Sequence, residues 1–210
     1  MILVDNVEVF NFEGAIRGMR NPLNSWEKSD SEFSYMYGYC LDVDIGKNDL
    51  ELMRNLYKAG TEHRKYLRQI FVSMDITAPL YWWKEFDTYK VGTVANSCST
   101  MHKIAAKEFE LDDFSHEHLT PEGGLSFLRN TVSGLNVYRL RYLESKDKKW
   151  WWHLIQLLPS SYNQKRTITM NYENVVTIIK QRTGHKLDEW NDFVDTLRSL
   201  PYIEEIVGND

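Results

Sequence analysis

The stretch DITAPLYWWKEFDTYKVGTVANSCSTMH, Asp75 to His102, decides the fold of this chain. It begins inside the segment IFVSMDI, in which every second residue is apolar, the pattern of a strand with one buried side. That side carries Ile70, Val72, Met74 and Ile76. Because Pro79 has no amide hydrogen to give to a neighbouring strand, we expect the strand to end at Ala78 and Pro79.

The residues after this proline favour a helix, a polar loop and a second helix. LYWWKEFDTYK contains no glycine or proline and places apolar residues at helical spacing, which predicts a helix up to Gly92. A second helix is expected over roughly residues 100–109, with Ser97 and Ser99 available to cap it. The order is therefore strand, proline, helix, polar loop and helix.

The flanking sequence is mainly helical in pattern. Partial alternation in ILVDNVEVFNF indicates an N-terminal strand, and GAIRGMRNPLNS is typical of an irregular turn region. Further helices are expected over Asp49–Ala59 with Asn48 as N-cap, from Thr120 to about Glu144, in KKWWWHLIQLL, in TITMNYENVVTIIKQRTG up to Gly184, and in KLDEWNDFVDTLRSL as the last helix before Pro201. No repeat or linker divides the chain, which predicts one α+β domain over residues 1–210.

Composition excludes several classes of protein. A formal charge of -5 and a pI near 5.7 argue against a duplex-DNA binder, although a local basic pocket for a small anion stays open. The strongest apolar runs, LIQLLP and VVTII, are too short to cross a bilayer, and no basic leader precedes the first apolar residues, so a cytoplasmic location is expected. Cys40 and Cys98 are far apart without a CxxC motif, and we expect two buried thiols.

Three polar or aromatic clusters have a functional and a structural interpretation each. His116 and His118 offer two metal ligands without a third at a familiar spacing, so a solvated loop is favoured. The run WWW at 150–152 is able to stack bases, but core or subunit packing is the better interpretation. NSCST lacks the surroundings of a nucleophile and is a candidate anion site at a helix N-terminus, a pattern shared with ordinary helix caps.

Asn171 and Arg182 form a second polar pair. They lie eleven residues apart, close to three helical turns, which places them on one helix face. An amide and a cation on one stripe suit two parts of an extended polar ligand, while an ordinary solvent-facing stripe is the alternative. The apolar residues Val175, Val176 and Ile179 are expected to anchor that helix from an adjoining side.

These residues resemble the flavin-dependent thymidylate synthases. That family has an apolar strand ending in Ala-Pro, a helix with Arg-Gln, and a motif RHRxxSxNExSxRY; here VSMDITAP precedes WWKEFDTYK and VGTVANSCSTM. The family also has Leu-Pro, an asparagine twelve residues after that proline, and an arginine eleven residues later. The corresponding residues here are Leu158, Pro159, Asn171 and Arg182. The similarity spans about residues 70–200.

The chain departs from the family at most charged motif positions. The family's Arg-His-Arg falls on Thr88, Tyr89 and Lys90, and its Arg-Gln pair on Lys84 and Glu85. Matching NExS to NSCS at 96–99 needs a one-residue insertion, which puts Ser97 at the glutamate position and Met101 at the following arginine. In the family, a flavin-contacting Glu-His pair precedes the strand-ending proline. That pair lies nearer the proline than Glu62 and His63 lie to Pro79 here.

The resemblance implies helices packed on a mainly antiparallel sheet and a homotetramer with FAD at subunit interfaces. It implies reductive methylation of dUMP to dTMP with FAD, NADPH and methylenetetrahydrofolate. Carried over by position, the cofactor-binding residues are Lys90, Asn96 and Asn171. The substrate-binding residues are Ser99, Arg182 and Glu85. No catalytic residue or metal ligand is assigned.

Two hypotheses follow from the resemblance and its departures. One is a divergent flavin-dependent enzyme acting on dUMP or a related pyrimidine nucleotide, since Asn171 and Arg182 keep the family's separation. The other is an oligomeric scaffold or nucleotide-binding protein that has lost flavin, since the motif arginines are replaced. Arginine-to-lysine exchange is not neutral where a bidentate phosphate contact is needed.

Overall fold

A computed structural model describes residues 1–37 and 39–208. Its strands are β1 (Leu3–Phe10), β2 (Glu32–Met36), β3 (Tyr39–Asp44), β4 (Phe71–Pro79), β5 (Val94–Ser97) and β6 (Asn163–Asn171). Its helices are α1 (Phe12–Arg20), α2 (Lys47–Lys58), α3 (Leu80–Phe86), α4 (Thr100–Lys103), α5 (Gly124–Ser145), α6 (Lys148–Leu157), α7 (Tyr172–Arg182), α8 (Asp188–Arg198) and α9 (Ile203–Val207).

The helices pack on a mainly antiparallel sheet, as the α+β expectation requires. Four strands form this sheet in the order β1-β4-β6-β5, and β2 pairs with β3 in a separate antiparallel hairpin. Strand β4 ends at Pro79 as predicted, and its four alternating apolar side chains are fully buried. Because β4 has neighbours on both sides, its polar positions are partly covered as well.

The chain divides into two compact units. The first unit consists of Met1–Asp5, Asp75–Thr88 and Ala95–Thr167. The second consists of the described residues within Asn6–Met74, Tyr89–Val94 and Ile168–Asp210. The organisation into one domain stays a prediction. Among the described residues, no helix combines the length and apolar character needed to cross a bilayer.

Helices α5 and α6 supply the core of the first unit. Leu128, Val132 and Leu135 from α5 and Leu154 from α6 are buried together with Phe109 and Phe114. Two of the three tryptophans at 150–152 are half-buried, Trp151 against this core and Trp150 stacked on Tyr138 at 6.0 Å between ring centroids. Trp152 is 45% exposed. Packing therefore accounts for two of these rings.

The long helix α5 also carries large apolar side chains that face solvent in the single chain. Phe127 is 75% exposed and Leu140 is 53% exposed. Beside them, an open apolar groove of about 590 Å³ is lined by residues that include Phe127, Leu135 and Leu157. Contiguous exposed apolar surface of this kind is typical of protein–protein contacts.

Two segments differ from the secondary structure expected of them. The region GAIRGMRNPLNS contains most of α1, because Phe12, Ala15, Ile16 and Met19 form a buried stripe at helical spacing that its two glycines obscure. Residues 163–171, expected to be helical in part, form β6 instead. Gln164, Ile168 and Met170 are buried there at even spacing, which is the period of a strand.

The expected helix ends need correction at several points. Helix α3 ends at Phe86 rather than near Gly92, and α4 is a single turn rather than a helix up to residue 109. Helix α2 has Gly46 as its N-cap, so Asn48 lies inside it, and α5 begins at Gly124. Helix α8 is the last helix before Pro201, as predicted, and the short α9 follows that proline.

The expectation of two buried thiols is wrong, because both cysteines are exposed. Cys40 belongs to β3, where its thiol contacts the carbonyl oxygen of Asp42 at 3.4 Å, and Cys98 follows the short strand β5. Hairpin and loop positions of this kind do not follow from the average burial of cysteine.

A buried ion pair organises the start of the second unit. Arg20 Nε donates to Asp49 Oδ1 at 2.6 Å, and both side chains are nearly inaccessible to solvent. Asp49 Oδ2 accepts from the hydroxyls of Ser29 and Ser31 at 2.7 Å each, and from the backbone N–H groups of Asp30 and Ser31. One carboxylate thus joins the end of α1, the following loop and α2.

These bonds lower the pKa of Asp49. Burial raises the pKa, but hydrogen bonds from Ser31, Ser29 and Arg20 outweigh it and hold the value below the usual range. A carboxylate with a depressed folded pKa stabilises the fold above its unfolded pKa of about 3.9. That stabilisation is lost as the pH falls through the folded pKa.

We predict that Asp49→Asn lowers the free energy of unfolding at pH 7 by about 3 kcal/mol, because it leaves the buried Arg20 guanidinium without its counter-charge. The deficit relative to the wild type should shrink as the pH is lowered from 5 through the folded pKa. Urea denaturation at each pH measures both effects.

Glu51→Gln, an exposed position on α2, is the matched control and should change the free energy of unfolding by less than about 0.5 kcal/mol. An Asp49→Asn deficit no larger than this control, or one that stays constant down to pH 3, would contradict the assigned role of the carboxylate.

Candidate functional site

Helix α7 begins where the chain leaves the sheet. Asn171 is both the last residue of β6 and the N-cap of α7, with extended backbone angles and its Oδ1 accepting from the N–H of Asn174 at 3.1 Å. The next N–H, of Tyr172, bonds to the carbonyl oxygen of Ile70. Val175, Val176 and Ile179 are buried and anchor the helix, as expected.

Arg182 lies in the last turn of α7 and is held on three sides. Its Nε donates to the hydroxyl of Tyr89 at 2.9 Å, and its Nη1 lies 3.2 Å from His185 Nε2. The guanidinium carbon is 4.4 Å from the ring centroid of Trp190, which is fully buried on α8. A cation over the face of a buried indole is attracted by the negative face of the ring, which helps to hold it in place.

The segment Tyr89–Gly92 runs along α7 and contacts both of its ends. At the C-terminal end, the Tyr89 hydroxyl donates to Gln181 Oε1 at 3.0 Å while accepting from Arg182. Near the N-terminal end, Asn174 Nδ2 donates to the carbonyl oxygen of Val91 at 2.7 Å. Residues of this segment bond to side chains of α7 instead of continuing helix α3 beyond Phe86.

Gly92 brings this segment against the amide of Asn171. Its φ is +75°, and a Cβ added there would lie 2.7 Å from Asn171 Nδ2 and 3.0 Å from Asn174 Oδ1. No side chain therefore fits between the segment and the start of the helix. Asn171 and Arg182, predicted to share a helix face, both face the same segment.

Lys90 and the amide of Asn171 both have hydrogen-bond donors left over in this region. The Lys90 side chain is exposed, and within residues 1–37 and 39–208 no carboxylate pairs with its ammonium. Asn171 uses Oδ1 for the cap, and the described residues supply no acceptor for its Nδ2. The α7 cluster is defined here as Tyr89, Lys90, Asn171, Arg182, His185 and Trp190.

The other three predicted site residues belong to the first unit. Glu85 lies on α3 and is half-buried, and Asn96 lies on β5 and is exposed. Ser99 caps α4 as predicted, with its Oγ accepting from the N–H of His102 at 3.2 Å. Because α4 has a single turn, it offers few aligned peptide dipoles to an anion, and the candidate anion site in NSCST gains no support.

Other candidates from the sequence stay outside the α7 cluster. Glu62 and His63 are exposed in the loop after α2. His116 Nδ1 lies 2.7 Å from the carbonyl oxygen of Phe114. In the part of the chain that the structure describes, no three His, Cys, Asp or Glu residues are placed to hold a metal ion.

Sequence reasoning missed Tyr89, His185 and Trp190 as members of the α7 cluster. Tyr89 stands at the position of the family's motif histidine, and that coincidence was the available signal. His185 lies three residues after Arg182, and Trp190 lies eight residues after it. Neither spacing predicts a contact across the turn between α7 and α8. Arg166 was also missed: it pairs with Asp87 at 2.7 Å over the ring of Trp83 in the first unit.

Comparison of the whole fold finds close structural neighbours. Thymidylate synthase X from Helicobacter pylori, crystallised with FAD and dUMP, has a TM-score of 0.69 and 17% identity over 100% of this chain and 97% of its own. A second crystal structure of the flavin-dependent enzyme from the same organism, also with FAD and dUMP, has a TM-score of 0.69 and 18% identity over 98% of this chain and 99% of its own. The chain has the fold of these enzymes.

No protein-family model matches the sequence, and no curated protein matches it. The sheet and helices are thus shared with the flavin-dependent synthases at a level of identity where the side chains of the site have to be judged one by one. The α7 cluster has an asparagine and an arginine at the separation described for those synthases, and it has Tyr89 where their motif has a histidine.

We predict that Gly92→Ala destabilises the protein by about 1–3 kcal/mol more than Gly184→Ala, because only the first change adds a collision to the strain of a positive φ. Gly184 has a similar φ of +70°, and a Cβ there meets no atom within 4 Å. Urea denaturation of both variants measures the difference. Equal losses would show that the segment does not press against Asn171.

Proposed function

We propose that this protein is a divergent flavin-dependent enzyme that methylates a pyrimidine nucleotide, converting dUMP to dTMP with FAD, NADPH and methylenetetrahydrofolate, or carrying out a closely related reaction. The observation that carries the proposal is the agreement of fold over the whole chain with an enzyme crystallised with FAD and dUMP. The Asn171 and Arg182 pair on α7 supports it at the level of residues.

The α7 cluster fits a flavin through the donors that the protein itself leaves over. Asn171 Nδ2 is positioned to donate to a carbonyl oxygen, and the exposed ammonium of Lys90 suits a phosphate. When bound, the flavin would supply the hydride for the reductive step. The protein's part is to hold the cofactor and to exclude competing reactions with water.

The nucleotide would be recognised by a second set of residues. Arg182 is assigned to the pyrimidine, Ser99 to the neighbourhood of the nucleotide phosphate, and Glu85 to the substrate as well. Asn96 is assigned to the cofactor. Charge-assisted bonds from a guanidinium to a nucleotide oxygen are among the stronger polar contacts available, and their strength rests on fixed geometry.

Assembly into a homotetramer is part of the same proposal. The exposed apolar side chains of α5 and the groove beside them support a subunit contact, because surface of this kind is usually covered by a partner. Cytoplasmic location stays a prediction from the sequence.

The alternative is an oligomeric scaffold or nucleotide-binding protein that has lost flavin. Two observations favour it: Thr88 and Tyr89 are uncharged where the family has Arg and His, and the Arg182 guanidinium is already engaged by neighbours within the chain. Both hypotheses keep the fold, and they differ in whether flavin binds.

We predict that the purified protein, alone or after addition of FAD, has the visible absorption bands of a bound flavin, and that these bands shift on titration with dUMP. A dTMP assay with NADPH and methylenetetrahydrofolate then tests turnover. A protein that stays colourless after gel filtration with excess FAD would contradict the enzyme and leave the alternative.

We predict further that Arg182→Lys weakens dUMP binding at least tenfold with little change in flavin content, whereas Asn171→Ala lowers flavin content. A point charge does not reproduce the planar contacts of a guanidinium. Arg129→Lys, an exposed position on α5, is the matched control. Isothermal titration calorimetry and the absorbance ratio of flavin to protein give the two readouts. Equal affinities for dUMP in the wild type, Arg182→Lys and Arg129→Lys would rule out Arg182 as a ligand.

A further inference from the structure

The hydroxyl of Tyr89 has both of its hydrogen-bonding roles fixed by α7. It donates to Gln181 Oε1 at 3.0 Å and accepts from Arg182 Nε at 2.9 Å. Because the hydroxyl hydrogen is directed to the glutamine, a lone pair is directed to the arginine. Tyr89 therefore acts on Arg182 as an acceptor at one defined atom.

Contacts with Tyr89, His185 and Trp190 restrain the Arg182 guanidinium. The guanidinium carbon lies 4.4 Å from the ring centroid of Trp190, and Nη1 lies 3.2 Å from His185 Nε2. The Tyr89 hydroxyl restrains the inner end of the group, because it accepts from Nε and not from a terminal nitrogen. The Tyr89 and Trp190 rings also contact each other edge to face, with centroids 6.1 Å apart.

We propose that Tyr89 is a positioning residue, which fixes the guanidinium of Arg182 and closes its Nε edge to ligands. Because Nε donates to the Tyr89 hydroxyl, this atom of Arg182 does not contact a bound nucleotide. The role in nucleotide binding rests on the proposed function, whereas the orientation of Arg182 does not.

This assignment explains an uncharged residue at the position of the family's motif histidine. A phenol at position 89 contributes no cation to a phosphate, but it reaches α7 and supplies an acceptor to the cation at position 182. A tyrosine in place of the histidine at position 89 therefore affects the orientation of Arg182 and adds no charge of its own.

The test is Tyr89→Phe, which removes the hydroxyl and keeps the ring. In the ligand-free protein we expect the Nε–H signal of Arg182 to shift in a proton–nitrogen correlation spectrum and its hydrogen to exchange faster with solvent. The signal is assigned by its absence from the spectrum of Arg182→Lys. In protein supplied with FAD we expect dUMP affinity to fall about tenfold, the loss of one hydrogen bond to a charged group.

Tyr57→Phe is the matched control, because the Tyr57 hydroxyl is buried in the same unit and makes no hydrogen bond with the described residues. It should leave both readouts unchanged. An unmoved Arg182 signal in Tyr89→Phe, or equal changes in the two variants, overturns the positioning role. If the wild type binds no dUMP but the Arg182 signal moves only in Tyr89→Phe, the proposed function fails while the positioning role stands.

Discussion

The passage from strand β6 into helix α7 at Asn171 is the constraint on which the candidate site depends. Asn171 ends the strand with an extended backbone and also caps the helix. Its side chain provides the cap by accepting a hydrogen bond from the N–H of Asn174. The carbonyl oxygen of Ile70 accepts from the N–H of Tyr172, the first residue of α7, so the helix starts at a fixed place relative to the start of β4. With the start fixed and one side buried, the direction in which Arg182 projects three turns later is also fixed.

Local patterns were sufficient for the parts of the fold where one periodicity dominates. The alternation in β4 and the proline at its end predicted the buried strand, and the separation of Asn171 and Arg182 predicted a shared face. Ser99 was predicted as a cap from its residue type alone. In each case the deciding interactions join residues that are close in sequence.

The parts that the sequence did not predict depend on distant neighbours. Residues 163–171 have β-branched and polar residues that suit either structure, and they become β6 because strands β4 and β5 are there to pair with. Residues of the segment Tyr89–Gly92 bond to side chains of α7 instead of continuing helix α3 beyond Phe86. The contact of Tyr89 with Arg182 spans 93 positions, and no local periodicity encodes it.

The direct bond between Tyr89 and Arg182 also constrains how the site can change in evolution. Residues that share a hydrogen bond do not respond independently to substitution, so the effect of replacing one depends on the identity of the other. Loss of the Tyr89 phenol would leave Arg182 less well oriented. Loss of Arg182 would leave the Tyr89 hydroxyl without the N–H group from which it accepts a hydrogen bond. Positions 89 and 182 are therefore expected to vary together among close relatives of this chain, as an epistatic pair.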